Sequence, residues 1–269
     1  MHSSAHKTSH VITALIASRP RVESLLEVAL PSVFGQIRRP DRLVIVSDRR
    51  SFSKKEEGTL LKAAGGCPLH VLSNRFSKGA AGTWNTGLQW LTHRGTTGYV
   101  AILDDDDVWD PEHIAECEEK CTEEPDVVLS GLRVLKQGSE LPREPLRNVT
   151  RDDFLAGNPG WQGSNTFVKL ATLMRIGGFS DGMPSTNDRD LAVRLLSLPD
   201  LSIAFTGRMT ATWHLGKQPD ALSRPGSAEK REGLQMFLQR HGHLMSAQIR
   251  AQFVERARNL FALDLEDVV

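Results

Sequence analysis

Four consecutive aspartates, Asp104 to Asp107, end an apolar run in the segment Gly98-Tyr-Val-Ala-Ile-Leu-Asp-Asp-Asp-Asp-Val-Trp-Asp-Pro111. Carboxylates crowded at a strand end repel one another, so a fold keeps them there only against a cation or positively polarised donors. Hard oxygen ligands suit Mg²⁺ or Mn²⁺, and Mg²⁺ commonly joins one or two carboxylates to the phosphates of a substrate. The structural alternative is an acidic helix N-cap, favoured by the helix dipole. A cap needs one or two acids and four are present, which favours a metal site.

The elements around this run must deliver it to one place. Residues 99–103 read as a short buried strand, and Pro111 with Glu112 as the first turn of a helix. Upstream, strand-like and helix-like segments alternate. Residues 11–17 form an apolar strand closing on Ser18-Arg19-Pro20, followed by helical periodicity through Val22, Leu25, Leu26, Val28, Ala29 and Val33. Residues 43–46 form a second strand ending at Ser47-Asp48-Arg49-Arg50, and residues 70–72 a third; residues 54–64 and 80–91 are helical. Strands separated by helices of this length imply right-handed βαβ units and a parallel sheet, whose ligands bind at the carboxyl ends of the strands. Ser18-Arg19, Ser47-Asp48 and the aspartate run all fall at such ends. The second half is less regular: strand-like at 127–135, a turn-rich loop Asn158-Pro-Gly-Trp-Gln-Gly163, a short strand at 165–168, and a helix at 170–176 stopped by Gly177-Gly178. A helix at 191–196, which Thr186 or Asn187 could cap, precedes a strand-like run at 202–213. Two C-terminal helices, broken near Gly242, carry Leu234, Phe237, Leu238, Leu244, Ile249, Phe253 and Leu260 on their apolar side.

Composition narrows the function classes. The 269 residues suffice for a full core, as one domain or two halves sharing a sheet. Lys plus Arg (33) equals Asp plus Glu (33), so no global field directs the chain to nucleic acid or to an anionic membrane. No apolar stretch approaches the about 18 residues of a membrane span, and residues 1–10 lack the apolar core of a signal peptide. Cys67, Cys117 and Cys121 make no disulfide framework, and a reducing cytoplasm is the simplest location, with peripheral membrane contact left open by Arg240, Arg250, Arg256 and Arg258. His2, His6 and His10 have helical spacing but lie in a Ser-rich start, and residues 1–9 read as a disordered tail.

Read in order, these segments resemble a GT-A glycosyltransferase of the family 2 type, over about residues 11–223. The family's opening turn often contains Asn-Arg-Pro, matched by Ser18-Arg19-Pro20; its Ser-Val-x-x-Gln stretch is matched by Ser32 to Gln36. Its Asp-Asp-Gly-Ser corresponds to Ser47-Asp48-Arg49-Arg50-Ser51, its Asn-x-Gly to Asn85-Thr86-Gly87, and its metal motif to Leu103 to Pro111. Gly-Gly-Phe followed by an acidic pair is matched by Gly177-Gly178-Phe179 and Asn187-Asp188-Arg189-Asp190-Leu191, and a late His by His214. Ser47 stands for the first of two carboxylates that help hold the nucleoside, Arg49-Arg50 for the usual Gly, and Asn187 where many members have Glu.

The resemblance implies an α/β GT-A fold with a mostly parallel central sheet. Residues 10–110 would form the nucleotide-sugar-binding half, 111–225 the acceptor-binding half, and 226–269 a helical extension. It implies a metal-dependent, inverting transfer of a sugar from a nucleoside-diphosphate sugar, a UDP-sugar in the first instance, with Mn²⁺ or Mg²⁺. The acceptor would be a carbohydrate, lipid-linked or small-molecule hydroxyl. Asp106 is then the direct metal ligand, and His214 either joins the metal or diphosphate or is a buried hydrogen-bonded residue. Asp104 and Asp105 orient donor hydroxyls or bind metal through water, and Asp107 either joins them or caps the next helix. Ala17, Ser18, Arg19, Asp48 and Lys78 fall on the donor side; Asp48 could accept a nucleobase N–H, or simply form a turn, and Lys78 could meet phosphate. Asp188 is the candidate base, its alternative being a helix cap, while Asp190 is placed to pair with Arg194 at i+4. Trp161 and Asn187 fall on the acceptor side, where Trp161 could stack on a sugar or plug the seam between the halves. Residues 216–225 read as a mobile lid, and the C-terminal helices as core packing or a homodimer contact. A nucleotidyltransferase would want a Gly-rich basic loop after the first strand, of which Ala17 to Pro20 is a poor version. A catalytically inactive nucleotide-binding module would show damage at the aspartates or the base, and neither is damaged.

Overall fold

The computed structural model describes residues 10–216 and 225–265. The first half alternates as its periodicity demands: β1 (Ile12–Ser18), α1 (Val22–Ser24) running through a π-helical turn at Leu25–Ala29 into α2 (Leu30–Phe34), β2 (Arg42–Ser47), α3 (Lys54–Ala63), β3 (Leu69–Ser73), α4 (Ala80–His93) and β4 (Tyr99–Asp104). A short β5 (Val108–Trp109) and α5 (His113–Glu119) follow the aspartates. Then come β6 (Val127–Lys136), β7 (Ser139–Leu141), α6 (Arg151–Ala156), β8 (Thr166–Lys169), α7 (Leu170–Arg175), α8 (Asn187–Leu196), β9 (Ile203–Leu215), α9 (Ala228–His241) and α10 (Ala247–Phe261).

These strands form one sheet in the order β3-β2-β1-β4-β8-β6-β9-β5, with β7 on β6. The block β3-β2-β1-β4 is parallel, β8 runs antiparallel between β4 and β6, and β9 is parallel to β6. β1 is an almost continuous apolar run because a parallel strand is covered on both faces. Alternate residues serve the two cores: Leu15, Val44, Val46, Val100 and Ile102 face α4 and the C-terminal helices, whereas Ile12, Ile16, Ile45 and Leu103 face the helix at 22–34. Gly87 lets α4 lie close on the sheet, since a Cβ there would come within 2.4 Å of a Leu15 methyl.

The C-terminal helices complete the first of these cores. Leu234, Phe237, Leu238, Phe253 and Ala257 are buried there with Phe154, Leu155 and Leu191, while Leu260 stays exposed and so leaves the expected apolar stripe. Among the described residues no helix is long and apolar enough to cross a membrane. Cys117 and Cys121 are buried free thiols, as their helical spacing suggests. Residues 1–9, the expected tail with His2 and His6, and all but the ends of the expected lid lie outside the described residues.

Candidate active site

Register brings the polar clusters to one edge. Ala17 pairs with Asp104 and Val46, and Ser18 with Ser47, so β1, β2 and β4 end side by side. Ala17 contributes backbone at this edge, and Arg19 is half-buried in the turn that follows. Gln36 holds the far side of the aspartate loop, its amide donating to the Asp110 carbonyl at 2.7 Å and accepting the Ile114 N–H at 2.9 Å. This is the structural work of the Ser-Val-x-x-Gln stretch.

The four aspartates have four environments. Asp105 is buried, accepts the Ser18 hydroxyl at 2.6 Å and is gripped by the Arg21 guanidinium on both oxygens. Burial still pushes its pKa up to about 6 against those donors. Through these donors the Asp105 carboxylate ties β1 and the turn after it to the aspartate loop. Asp107 is also buried and caps no helix. It accepts the Ser164 hydroxyl at 2.6 Å and the His214 N–H at 3.2 Å, and burial with the Asp106 charge pushes its pKa up to about 8. Asp104 is half-buried beside Gly163, and burial followed by the charges of Asp107, Asp106 and Asp188 holds its pKa well above the carboxylate range. Asp106 is partly open as well, its carboxylate 3.8 Å from Arg21.

His214 lies against this loop, its Nδ1 3.0 Å from the Asp106 carbonyl. A carbonyl only accepts, so Nδ1 carries the proton and Nε2 keeps its lone pair, the tautomer of a metal-ligating imidazole. Among the described residues no three His, Cys, Asp or Glu side chains form a ready-made metal cage. Asp106 and His214 are the residues that would hold a hard divalent cation here, and such a cation would supply positive charge at this edge of the sheet.

Asp188 stands on the other side of Asp104. It is the second residue of α8, whose N-cap is Thr186, a non-glycine residue at φ 69° that makes no side-chain cap bond. Of the two expected caps Thr186 holds the N-cap position, without a side-chain bond, and Asn187 is the first helical residue, so Asp188 is not the cap. Burial lifts the Asp188 pKa to about 6 against the lowering effect of Lys230 and of the Gly163 N–H. Asn187 is buried with its Oδ1 lacking a partner, as is the Nε1 of Trp84, whose ring lies over Gly163. Asp190 faces away, accepting from Arg194 at 2.8 Å, Ser180 at 2.6 Å and His241 at 2.9 Å. Trp161 is fully buried, its indole N–H on Thr166 and its ring edge-on to Phe154. It fills the seam and presents no face to a sugar.

A cleft of about 340 Å³ opens at the ends of β2 and β3, lined by Asp48, Arg49, Asn74, Phe76 and Lys78 among others. Asp48 is buried, accepting from Asn74 at 3.1 Å and from the Gly79 N–H at 3.2 Å. Ser47 also lines the cleft, its hydroxyl donating to the Leu72 carbonyl at 3.1 Å. Lys78 is exposed at its rim. Arg21, Ser164 and Lys230 shape the site and escaped the reading of the sequence. Arg21 follows the motif by one residue, and the other two belong to no pattern and reach the site only through the fold.

Comparison with known proteins agrees with this geometry. The family model "Glycosyl transferase family 2" matches residues 13–185, more than half of the chain. Among curated proteins none matches the sequence significantly. The structure is similar to residues 1–349 of TarS from S. aureus in complex with UDP-GlcNAc, at TM-score 0.63 and 15% identity over 94% of this chain and 73% of that one. It is also similar to the mannosyltransferase PcManGT from Pyrobaculum calidifontis in complex with GDP-Man and Mn²⁺, at TM-score 0.58 and 16% identity over 94% and 70%. With the strand ends, the aspartate loop and the family match in register, the chain belongs to glycosyl transferase family 2 and is a glycosyltransferase of the GT-A fold.

Proposed function

We propose that this enzyme transfers a sugar from a nucleoside-diphosphate sugar to an acceptor hydroxyl, with a divalent cation at Asp106 and His214, Asp188 as general base, and inversion at the anomeric carbon. The observation that carries the reading is that Gly163 joins the two carboxylates: its N–H serves Asp188, from α8, and its Cβ position lies 3.6 Å from Asp104 Oδ2 at the end of β4. A desolvated carboxylate of pKa near 6 thereby sits across from the metal-side carboxylates. Proton removal from an attacking hydroxyl requires a base within hydrogen-bond reach and largely ionised at neutral pH, and Asp188 meets the second condition. The cation supplies charge neutralisation of the departing diphosphate. Attack on one face with departure from the other, in a single displacement, inverts the centre.

The donor's nucleoside belongs in the cleft beside Asp48. Both Asp48 oxygens already accept protein N–H groups, which leaves room for one further donor. The single ring N–H of uracil suits that capacity better than the paired donors of guanine. Phe76, on the cleft wall and 39% exposed, offers an apolar face to the base or ribose. The relatives with UDP, UDP-GlcNAc and GDP-Man with Mn²⁺ support a nucleotide-sugar donor and a divalent metal.

Thermal stability measured with UDP, GDP and their sugars, each with Mn²⁺, Mg²⁺ or EDTA, tests this. A rise that needs both metal and a uridine nucleotide, and that is lost in Asp106→Ala, is the expected result. No rise with any nucleotide in the folded, metal-supplied protein would overturn the donor site. The anomeric configuration of the product, read by NMR, tests inversion separately.

A further inference from the structure

Three cations that make no ion pair among the described residues lie on α9, on α10 and near the loop at Gly160. Lys230, in the first turn of α9, lies close enough to Asp188 for each to act on the other. Its ammonium sits 4.2 Å above the Phe261 ring. Arg256, from α10, lays its guanidinium over Gly157, where a Cβ would meet Nε at 3.2 Å and Cζ at 3.4 Å. Arg143 reaches the same loop at Gly160, 3.6 Å from where a Cβ would stand. Among the described residues none of these three has a carboxylate within 4.0 Å.

Burial first, then Arg189 and, more weakly, Arg256 hold Lys230 down to about 8 against the opposing pull of Asp188; Arg256 is lowered by burial and by Arg143. Arg189 is itself buried, donating to the Phe154 and Leu155 carbonyls and packed on Phe237, so its charge is structural but adds to the same field. Uncompensated cations this close to one another are costly to keep near low-dielectric surroundings. The loop they flank is rigid. The Asn158 side chain accepts the Gly160 and Trp161 N–H groups, the Asn165 side chain accepts that of Gln162 and donates to the Gly160 carbonyl, and the loop ends at Gly163 beside Asp188.

From this arrangement we infer that the acceptor is anionic: a phosphate or carboxylate group of the acceptor sits between Lys230, Arg256 and Arg143, and places its hydroxyl at Asp188. This rests on Asp188 being the base, and it deepens the proposed transfer by naming the acceptor's charge class. Cations facing phosphate or carboxylate form charge-assisted hydrogen bonds, with Arg able to engage two oxygens at once.

Isothermal titration in EDTA, where no metal draws the anion to the aspartates, provides the test. The probes are glycerol 3-phosphate and glucuronate, set against glycerol and glucose. The wild-type protein is expected to bind the two anions, more weakly as salt rises, and neither neutral analogue. Arg256→Gln combined with Lys230→Met should lose at least about tenfold in affinity, and Arg143→Gln, at an exposed position that leaves the core untouched, about two- to threefold. Binding of phosphate but not carboxylate, or the reverse, identifies which anion the site takes. Equal binding of anionic and neutral probes, no binding of either, or anion affinity unchanged in the variants would overturn the inference. UDP with Mn²⁺ is titrated in the same proteins, so a failure of the donor reading is seen as a separate loss.

Discussion

Asp188 and Lys230 make the sharpest residue-scale case. Asp188→Asn removes the base while keeping its size, and kcat is expected to fall about 10²–10⁴-fold with UDP binding unchanged. A base works deprotonated, so kcat/KM of the wild-type enzyme should decline as pH drops below about 6, the Asp188 value. Lys230 favours the ionised form of that carboxylate; Lys230→Met removes the stabilising charge, so the acid limb should move to higher pH. A purely structural lysine would lower activity at every pH and leave the limb in place. Which residues do this work was only partly legible. The aspartate run marked the end of β4 as the polar centre of the site, because four adjacent acids need compensating charge. It could not announce that Asp105 and Asp107 turn inward to Arg21, Ser18 and Ser164, since those partners are set by the register of β1 and by the loop before β8.

At the scale of elements, two motifs of no evident chemistry prove to be one joint. Asn85 of α4 donates to the Phe179 carbonyl and accepts the Phe179 N–H, both at 2.8 Å. Gly178 permits it: at φ 72° it takes a left-handed conformation, and a Cβ there would stand 2.4 Å from Asn85 Oδ1. This clamp fixes α4 to the segment leading into α8, and hence Asp104's side of the site to Asp188's. Asn85→Ala leaves two buried backbone groups unsatisfied and should cost about 2–4 kcal/mol; Gly178→Ala combines strain with a clash and should cost at least as much. Urea denaturation of both variants measures this. If Asn85→Ala unfolds within about 0.5 kcal/mol of wild type, the clamp is dispensable. The strand and helix segments of the first half were legible from apolar periodicity, to within a residue or two. The helix at 187–196 was placed too late, because its first turn is polar and its N-cap, Thr186, carries no capping bond.

For the molecule as a whole, the C-terminal helices complete the core next to Asp188 and Arg189. Phe253 and Phe237 stack, with ring centroids 5.9 Å apart, beneath the buried Arg189 next to Asp188. Phe253→Ala should therefore cost about 3–5 kcal/mol and lower acceptor-dependent turnover more than UDP binding, as a comparison of Tm and kinetics would show. Equal losses at both sites would mean that the helices support the entire sheet. The chain by itself determined the alternation of strands and helices, hence a parallel block with its ligand edge at the carboxyl ends, together with the acids able to meet a cation. These are local properties: apolar spacing and the mutual repulsion of neighbouring carboxylates act over a few residues. Tertiary structure alone decided that Trp161 is core, that the His214 Nδ1 meets the Asp106 carbonyl, that Lys230 comes near Asp188, and that Arg256 and Arg143 meet the loop at Gly157 and Gly160. Each depends on residues distant in sequence being brought together, and no periodicity within one segment encodes which of them will meet.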